Sequence, residues 1–213
     1  MGTKQHRGRV TRFHFVTVAA ELFAAAGYHG VSTGEIVAAA GSNKGALYYH
    51  FRSKDDLVAA IIDEQHHRSI ALVQRVTATD TAPLEQIVML SHALGEQLQE
   101  SALVRAGLRL STELADHTPA HPYRDWITAC RTLLDRAADG GDLRPGLDLD
   151  AVARFAIGAF TGIQQLSGLL TDRPDLPRRI DELWGLLLPT LVADPDRRDT
   201  VRRARWAPPV PVA

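Results

Sequence analysis

The run AGSNKGALYYHF, residues 40–51, holds the densest set of side chains in the chain that could grip a phosphate backbone. Lys44 offers a compact positive charge. Tyr48, Tyr49 and His50 offer donors to phosphate oxygens. Gly45 and Ala46 keep the same face thin enough for a groove about 12 Å wide. Gly41 permits a sharp turn ahead of the run, and Ser42 or Asn43 supplies a cap. Thr33 can present its hydroxyl and backbone N–H to a phosphate at a helix start. Asn43 and Lys54, which flank the run, complete the candidate contact set. The chemistry implied is a noncovalent hold on duplex DNA. Plainer uses stand beside it: Tyr48 and Tyr49 cannot share one helix face, so either one is as available for packing as for contact. His50 is equally suited to capping or packing, and a lysine such as Lys44 is often only solvated charge.

Nothing else in the chain suggests bond making. There is no nucleophile elbow, no zinc-protease motif and no phosphate-binding glycine loop, so an enzyme is not expected. The adjacent pair His66-His67 cannot share a helix face, and His117 and His121 lie in a proline-rich breaker, so neither a metal nor a cofactor is expected. A single cysteine, Cys130, rules out an internal disulfide and fits a reducing cytoplasm. No apolar run reaches the length of a membrane span. The net charge of −1 hides an asymmetry: residues 1–55 hold seven Lys/Arg against three Asp/Glu, including all three lysines, and the remainder is net acidic. A basic head on an acidic body is the pattern expected when one end meets phosphate.

The elements that must position these residues read as helices throughout. Residues 1–9 are polar and basic and read as a flexible arm. From Thr11, Phe15, Val16, Ala19, Leu22 and Phe23 recur at helical spacing until Gly27. Ser32 and Glu35 make a capping-box spacing for a second helix that stops at Gly41. A third runs to Phe51 with Leu47 and Phe51 facing inward. Ser53 caps a fourth, with Asp55 and Asp56 in its first turn. Apolar periodicity then marks helices over roughly 83–99, 103–114, 123–138, 149–170 and 176–192. No segment alternates like a strand. The expected fold class is all-α: a head at 1–52, a larger helical body at 53–195, and an exposed Arg-rich and Pro-rich tail at 196–213. Two short helices joined by a glycine turn after a supporting helix form a helix-turn-helix arrangement.

At residues 11–62 the chain resembles the N-terminal domain of TetR-type transcriptional repressors. The resemblance is carried by Thr11-Arg12, Ala19-Ala20-Glu21-Leu22-Phe23, Gly27-Tyr28, Ser32-Thr33, Glu35-Ile36-Val37, Ala40-Gly41, the run Lys44 to Phe51, and Ser53-Lys54-Asp55-Asp56-Leu57. It implies a homodimer, a palindromic operator, and release of DNA when a small molecule binds the body. Ser42 departs from the family, which has an apolar residue there; Phe13-His14 replace polar or charged residues.

The body should hold an apolar pocket with few polar groups. Trp126 follows the breaker and suits either a pocket wall or ordinary core. Thr161, Gln164 and Gln165 interrupt an apolar helix containing Phe155, Ile157, Phe160 and Ile163; Gln65 lies in the connector helix. The stretches Leu103-Val104-Arg105-Ala106-Gly107-Leu108-Arg109-Leu110 and His121-Pro122-Tyr123-Arg124-Asp125-Trp126 resemble the γ-butyrolactone receptors, an actinomycete branch of the same family. That resemblance implies that Trp126 closes over a lactone; Gln65 and Thr161 are the polar candidates for its carbonyl and hydroxyl, and Leu110 and Gln165 are further candidate contacts. A relative answering to an antibiotic or a butenolide remains open on the same residues, as does a DNA-binding protein with no effector. The last two strong helices are apolar enough to need cover on both sides. Pairing with their symmetry mates would bring Phe155, Ile163, Leu183, Trp184, Leu187, Leu188 and Leu191 into a dimer interface; the alternative is an intramolecular core.

Overall fold

Phe15, Val16, Ala19, Ala20 and Phe23 are all buried along one stripe of helix α1 (Gly2–Ala26). The computed structural model describes residues 2–114 and 122–206, with side chains from residue 6 onward. The helix begins well before Thr11, so the arm expected over residues 1–9 is helical from Gly2. Its sequence contains no proline, and the lone interior Gly8 weakens a helix by only about 1 kcal/mol. Gly27 ends it in the left-handed region, φ +71°, with its N–H on the Phe23 carbonyl at 2.9 Å.

Among the described residues there are ten helices and no strand: α1, then α2 (Thr33–Ala39), α3 (Lys44–His50), α4 (Lys54–Thr77), α5 (Pro83–Glu100), α6 (Ala102–Glu113), α7 (Pro122–Asp139), α8 (Leu149–Thr171), α9 (Leu176–Leu191) and α10 (Pro195–Arg202). The caps at Ser32 and Ser53 act as their sequence predicts. The Ser32 hydroxyl accepts from the Glu35 N–H, and the Glu35 carboxylate accepts from the Ser32 N–H at 2.7 Å. The Ser53 hydroxyl accepts from the Asp56 N–H at 3.1 Å, and Asp148 caps α8.

The chain divides into two units, residues 1–68 with 100–121 and residues 69–99 with 122–213. The head is therefore larger than 1–52: it takes the first part of α4 and all of α6. Leu103, Ala106 and Leu110 of α6 join a core with Phe15, Phe23, Ile36, Leu47, Phe51, Leu57 and Ile61. Gly107 allows a close approach of α6 to α4, because a Cβ there would lie 2.4 Å from the Gln65 Cβ.

In the second unit α9 packs Leu176 and Ile180 against Gly95 of α5, and the Trp184 indole donates to the Ser91 hydroxyl at 2.8 Å. Residues 195–206 are docked, which corrects the tail expected from 196. Arg197 donates to Glu85 at 2.5 and 2.9 Å and to Asp142 at 2.9 and 2.7 Å. The two carboxylates hold its guanidinium firmly protonated. Trp206 and Ala204 pack on Leu72, Val76, Met89 and Ala93. His92, buried beside Asp181, is pushed down to about 4 by burial and by the Arg205 charge that shares the same carboxylate, so it is neutral near pH 7.

Candidate nucleic-acid interface and effector site

Two backbone hydrogen bonds close the α2–α3 turn. Gly41, φ +57°, donates to Ala38 and Ser42 donates to Val37, each at 3.1 Å. The Ser42 side chain is exposed and takes no part, so its departure from the family pattern leaves the turn intact. Asn43 is the cap of α3: its side chain accepts from the Ala46 N–H at 2.9 Å. That cap sets the rotation of α3. Leu47 and Phe51 turn inward, both 2% exposed, while Lys44, Gly45, Tyr48 and Tyr49 face out. Tyr49 is 82% exposed and Tyr48 49%, so Tyr49 is the freer of the two. The Tyr49 ring stands edge-on to His50 at 5.0 Å, and His50 lies 6.4 Å from Phe15. His50 is thus half a packing residue. Thr33 is the first residue of α2 and half-buried. Phe13 is 48% exposed and leaves the outer face of α1 only partly covered.

Lys54 does not reach outward as expected. Its ammonium donates to the Tyr28 carbonyl and sits 3.9 Å from the Tyr28 ring centroid and 5.6 Å from that of Phe23. Burial lowers its pKa. The cause is the loop after Gly27, which carries Tyr28 into reach, and a cation over two rings holds its place at little cost.

Tyr28 is the centre of a junction that composition could not reveal. Its ring stacks on Phe23 at 6.4 Å, and its hydroxyl donates to Asp55 at 2.5 Å. Its N–H donates to Glu113 of α6 at 2.7 Å. Arg109 donates to that same Glu113 at 2.6 Å and caps the end of α1 through the Ala24 and Ala25 carbonyls, both at 3.1 Å. These hydrogen bonds hold the Glu113 carboxyl below its usual range against the opposing pull of burial. Helices α1, α4 and α6 are bolted together at one point of the first unit.

The expected effector contacts fall in both units. Gln65, fully buried, and Leu110, fully buried, belong to the first. Trp126 and Thr161 belong to the second, where α7 packs on α8. Trp126 is half-buried, with its ring edge-on to Tyr123 at 5.0 Å. Its indole nitrogen is buried and has no hydrogen-bond partner among the described residues. An unmet buried donor costs about 1–3 kcal/mol and calls for an acceptor. Thr161 spends its hydroxyl on the Ile157 carbonyl of its own helix at 2.8 Å. Gln165 is exposed and Gln164 is the buried glutamine, because consecutive helical residues point about 100° apart. The reading of Gln165 as a pocket residue is therefore corrected. His117 and His121 lie outside the described residues. Among those described, no group of His, Cys, Asp or Glu could hold a metal, and no helix is long and apolar enough to cross a membrane.

The expected dimer contacts on α9 are also corrected. Trp184, Leu187, Leu188 and Leu191 are at most 9% exposed and Leu183 is half-buried, because this stripe covers the second unit's own interior. What lies open is one face of α8: Phe155 at 59%, Leu166 at 49%, Leu169 at 83% and Leu170 at 68%, with Leu186 of α9 at 79%. Ile163 sits half-buried at its margin. Phe155, Gly162, Leu166 and Leu169 recur at helical spacing, so they form a continuous stripe. Opposite them α8 turns Ala153, Ala156, Gln164 and Ser167 inward.

Comparison with known proteins places this arrangement in a family. Residues 15–61 match the model for bacterial regulatory proteins of the tetR family, and residues 81–193 match the model for the tetracyclin repressor-like C-terminal domain. The A-factor receptor protein of Streptomyces griseus is 34% identical over 188 residues; the alignment covers 88% of this chain and 66% of that receptor. Among solved structures, a γ-butyrolactone receptor described as an ArpA-like protein superposes with a TM-score of 0.82 at 30% identity, covering 92% of this chain and 94% of that one. CprB from Streptomyces coelicolor, solved in complex with its biological operator sequence, superposes with a TM-score of 0.79 at 31% identity over 92% and 94% of the two chains. The chain belongs to the TetR family of bacterial regulatory proteins.

Proposed function

We propose that this protein is a dimeric transcriptional repressor, acting in the cytoplasm on a palindromic operator and released from it by a small hydrophobic effector of the γ-butyrolactone or butenolide type. The observation that carries the DNA reading is the outward face of α3, where Lys44, Gly45, Tyr48 and Tyr49 stand exposed around a core-facing Leu47. Lys44 supplies phosphate charge, Tyr49 and Tyr48 supply hydroxyl donors, and Thr33 at the start of α2 adds a further phosphate contact. Asn43 acts by capping the recognition helix, and His50 and Lys54 act by holding the head's geometry.

Two features support the effector reading. Trp126 offers an indole N–H that a lactone carbonyl could accept from, in a helix packed on apolar α8. Among the similar proteins above, one solved structure is described as that of a γ-butyrolactone receptor. The open stripe of α8 supports the dimer: paired with its mate about a two-fold axis, it would bury Phe155, Leu166, Leu169 and Leu170. Helix α4 contributes residues to both units. The effector shifts DNA affinity only by its differential affinity for the two states. An allosteric coupling of about 1–3 kcal/mol corresponds to a 5–150-fold change. A regulator answering to an antibiotic uses the same surfaces and differs only in the molecule that Trp126 meets.

Lys44→Ala is expected to weaken binding to a duplex that the protein itself selects from a random library. The slope of log affinity against log salt should flatten by about 0.9, the loss of one phosphate contact. An unchanged affinity and slope, measured by fluorescence anisotropy, removes Lys44 from the interface.

A further inference from the structure

The stripe that α1 lays against the head changes character where it runs off the core. Counting back from Phe23 it reads Ala20, Ala19, Val16 and Phe15, all buried, and then Arg12 and Arg9, both exposed. Arg12 stands four residues before Val16 and Arg9 seven, so both continue the same helical face. An apolar continuation would have nothing to pack on; an arginine pair there overhangs the head with its charges in solvent. No Asp or Glu precedes Glu21 in the chain, and among the described residues no carboxylate pairs with Arg7, Arg9 or Arg12.

The direction of the overhang is set by contacts within the first unit. The His14 ring nitrogen Nε2 lies 3.1 Å from the Ala40 carbonyl, at the α2–α3 turn. The Arg12 guanidinium lies 4.9 Å from the centroid of the Phe51 ring, just past α3. Phe15 neighbours His50 at 6.4 Å. The last core turn of α1 is therefore seated against the turn of the helix-turn-helix and the C-terminal end of α3, and the arginines leave it on that side. The family model begins its match at residue 15, so this overhang lies ahead of the part it describes.

We propose that Arg9 and Arg12, on the N-terminal overhang of α1, are a second DNA contact that binds backbone phosphates flanking the segment read by α3. The inference rests on the DNA-binding reading above. A guanidinium held over an aromatic ring keeps its outer N–H groups free for phosphate, and an arginine one turn further along the same face reaches a neighbouring phosphate. Arg7 provides an internal control. It lies about 160° around the helix from Arg9, since two residues turn the helix by about 200°.

The test uses the full chain and the duplex that it selects from a random library, with anisotropy read across a series of salt concentrations. Arg9→Ala should lower the slope of log affinity against log salt by about 0.9, and Arg9→Ala with Arg12→Ala by roughly twice that. Arg7→Ala, which removes the same charge from the other face, should leave the slope unchanged. Trimming the duplex flanks should weaken the wild type and have no further effect on the double variant. Equal slopes for wild type and Arg9→Ala overturn the proposal, as does an equal loss from Arg7→Ala, which would make the effect one of net charge. Failure of the wild type to bind any duplex would instead overturn the repressor reading itself.

Discussion

Replacing Leu169 by aspartate is expected to yield a folded monomer that binds its operator at least a thousandfold more weakly than the wild type. The residue is 83% exposed in the protomer, so the substitution removes almost no packing from the protomer's own core. In a two-fold interface it acts twice. Burying a leucine stabilises by about 1.5–3 kcal/mol, and an unpaired carboxylate taken out of water costs several kcal/mol more. Two copies together exceed the ~4 kcal/mol that separates dissociation constants a thousandfold apart. A single head then faces the DNA alone and loses the gain from engaging both half-sites. Sedimentation should show the monomer, circular dichroism a native helix content, and anisotropy the loss of binding. A Leu169→Asp protein that sediments as the wild-type dimer places the interface elsewhere. The contrast with α9 is informative, because a charge at Leu188, 1% exposed, would damage the protomer itself.

The second large effect is at Trp126. Trp126→Ala should retain operator affinity and lose the effector response, so that a release of 5–150-fold in the wild type falls to none. Trp126 is only half-buried, which limits the damage to folding. Trp126→Phe separates ring from N–H: it keeps the aromatic surface and removes the donor that has no partner among the described residues. That variant should still release, but only at about tenfold or more higher effector, the cost of one hydrogen bond to a buried group. If both variants release DNA at the wild-type effector concentration, Trp126 is ordinary packing.

The helices and their caps were legible because they rest on local chemistry. Ser32 with Glu35, Gly41, Asn43 and Ser53 each satisfy backbone groups within a few residues of themselves. What was not legible was which buried face meets which partner. Helix α8 is apolar almost all round, so its periodicity could not tell the side lined by Ala153, Ala156 and Ser167 from the side lined by Phe155 and Leu169. The leucine stripe of α9 was read as a dimer face for the same reason, although α5 already covers part of it. Helix α10 was missed because an Arg-rich stretch reads as solvated; the carboxylates that fix Arg197 lie 112 and 55 residues away. The allegiance of α6 depends on Arg109 reaching carbonyls 84 and 85 residues earlier, which no local pattern encodes. At the DNA face the residue types were readable, but the inward turn of Lys54 depends on where the loop after Gly27 puts Tyr28.

The most direct test of the central claim is one titration: wild-type protein on its self-selected operator duplex, followed by anisotropy as a synthetic γ-butyrolactone is added, with binding of the lactone measured in parallel by calorimetry. The account predicts that the lactone binds and that operator affinity falls 5–150-fold as it does so. A lactone that binds and leaves operator affinity unchanged would contradict it.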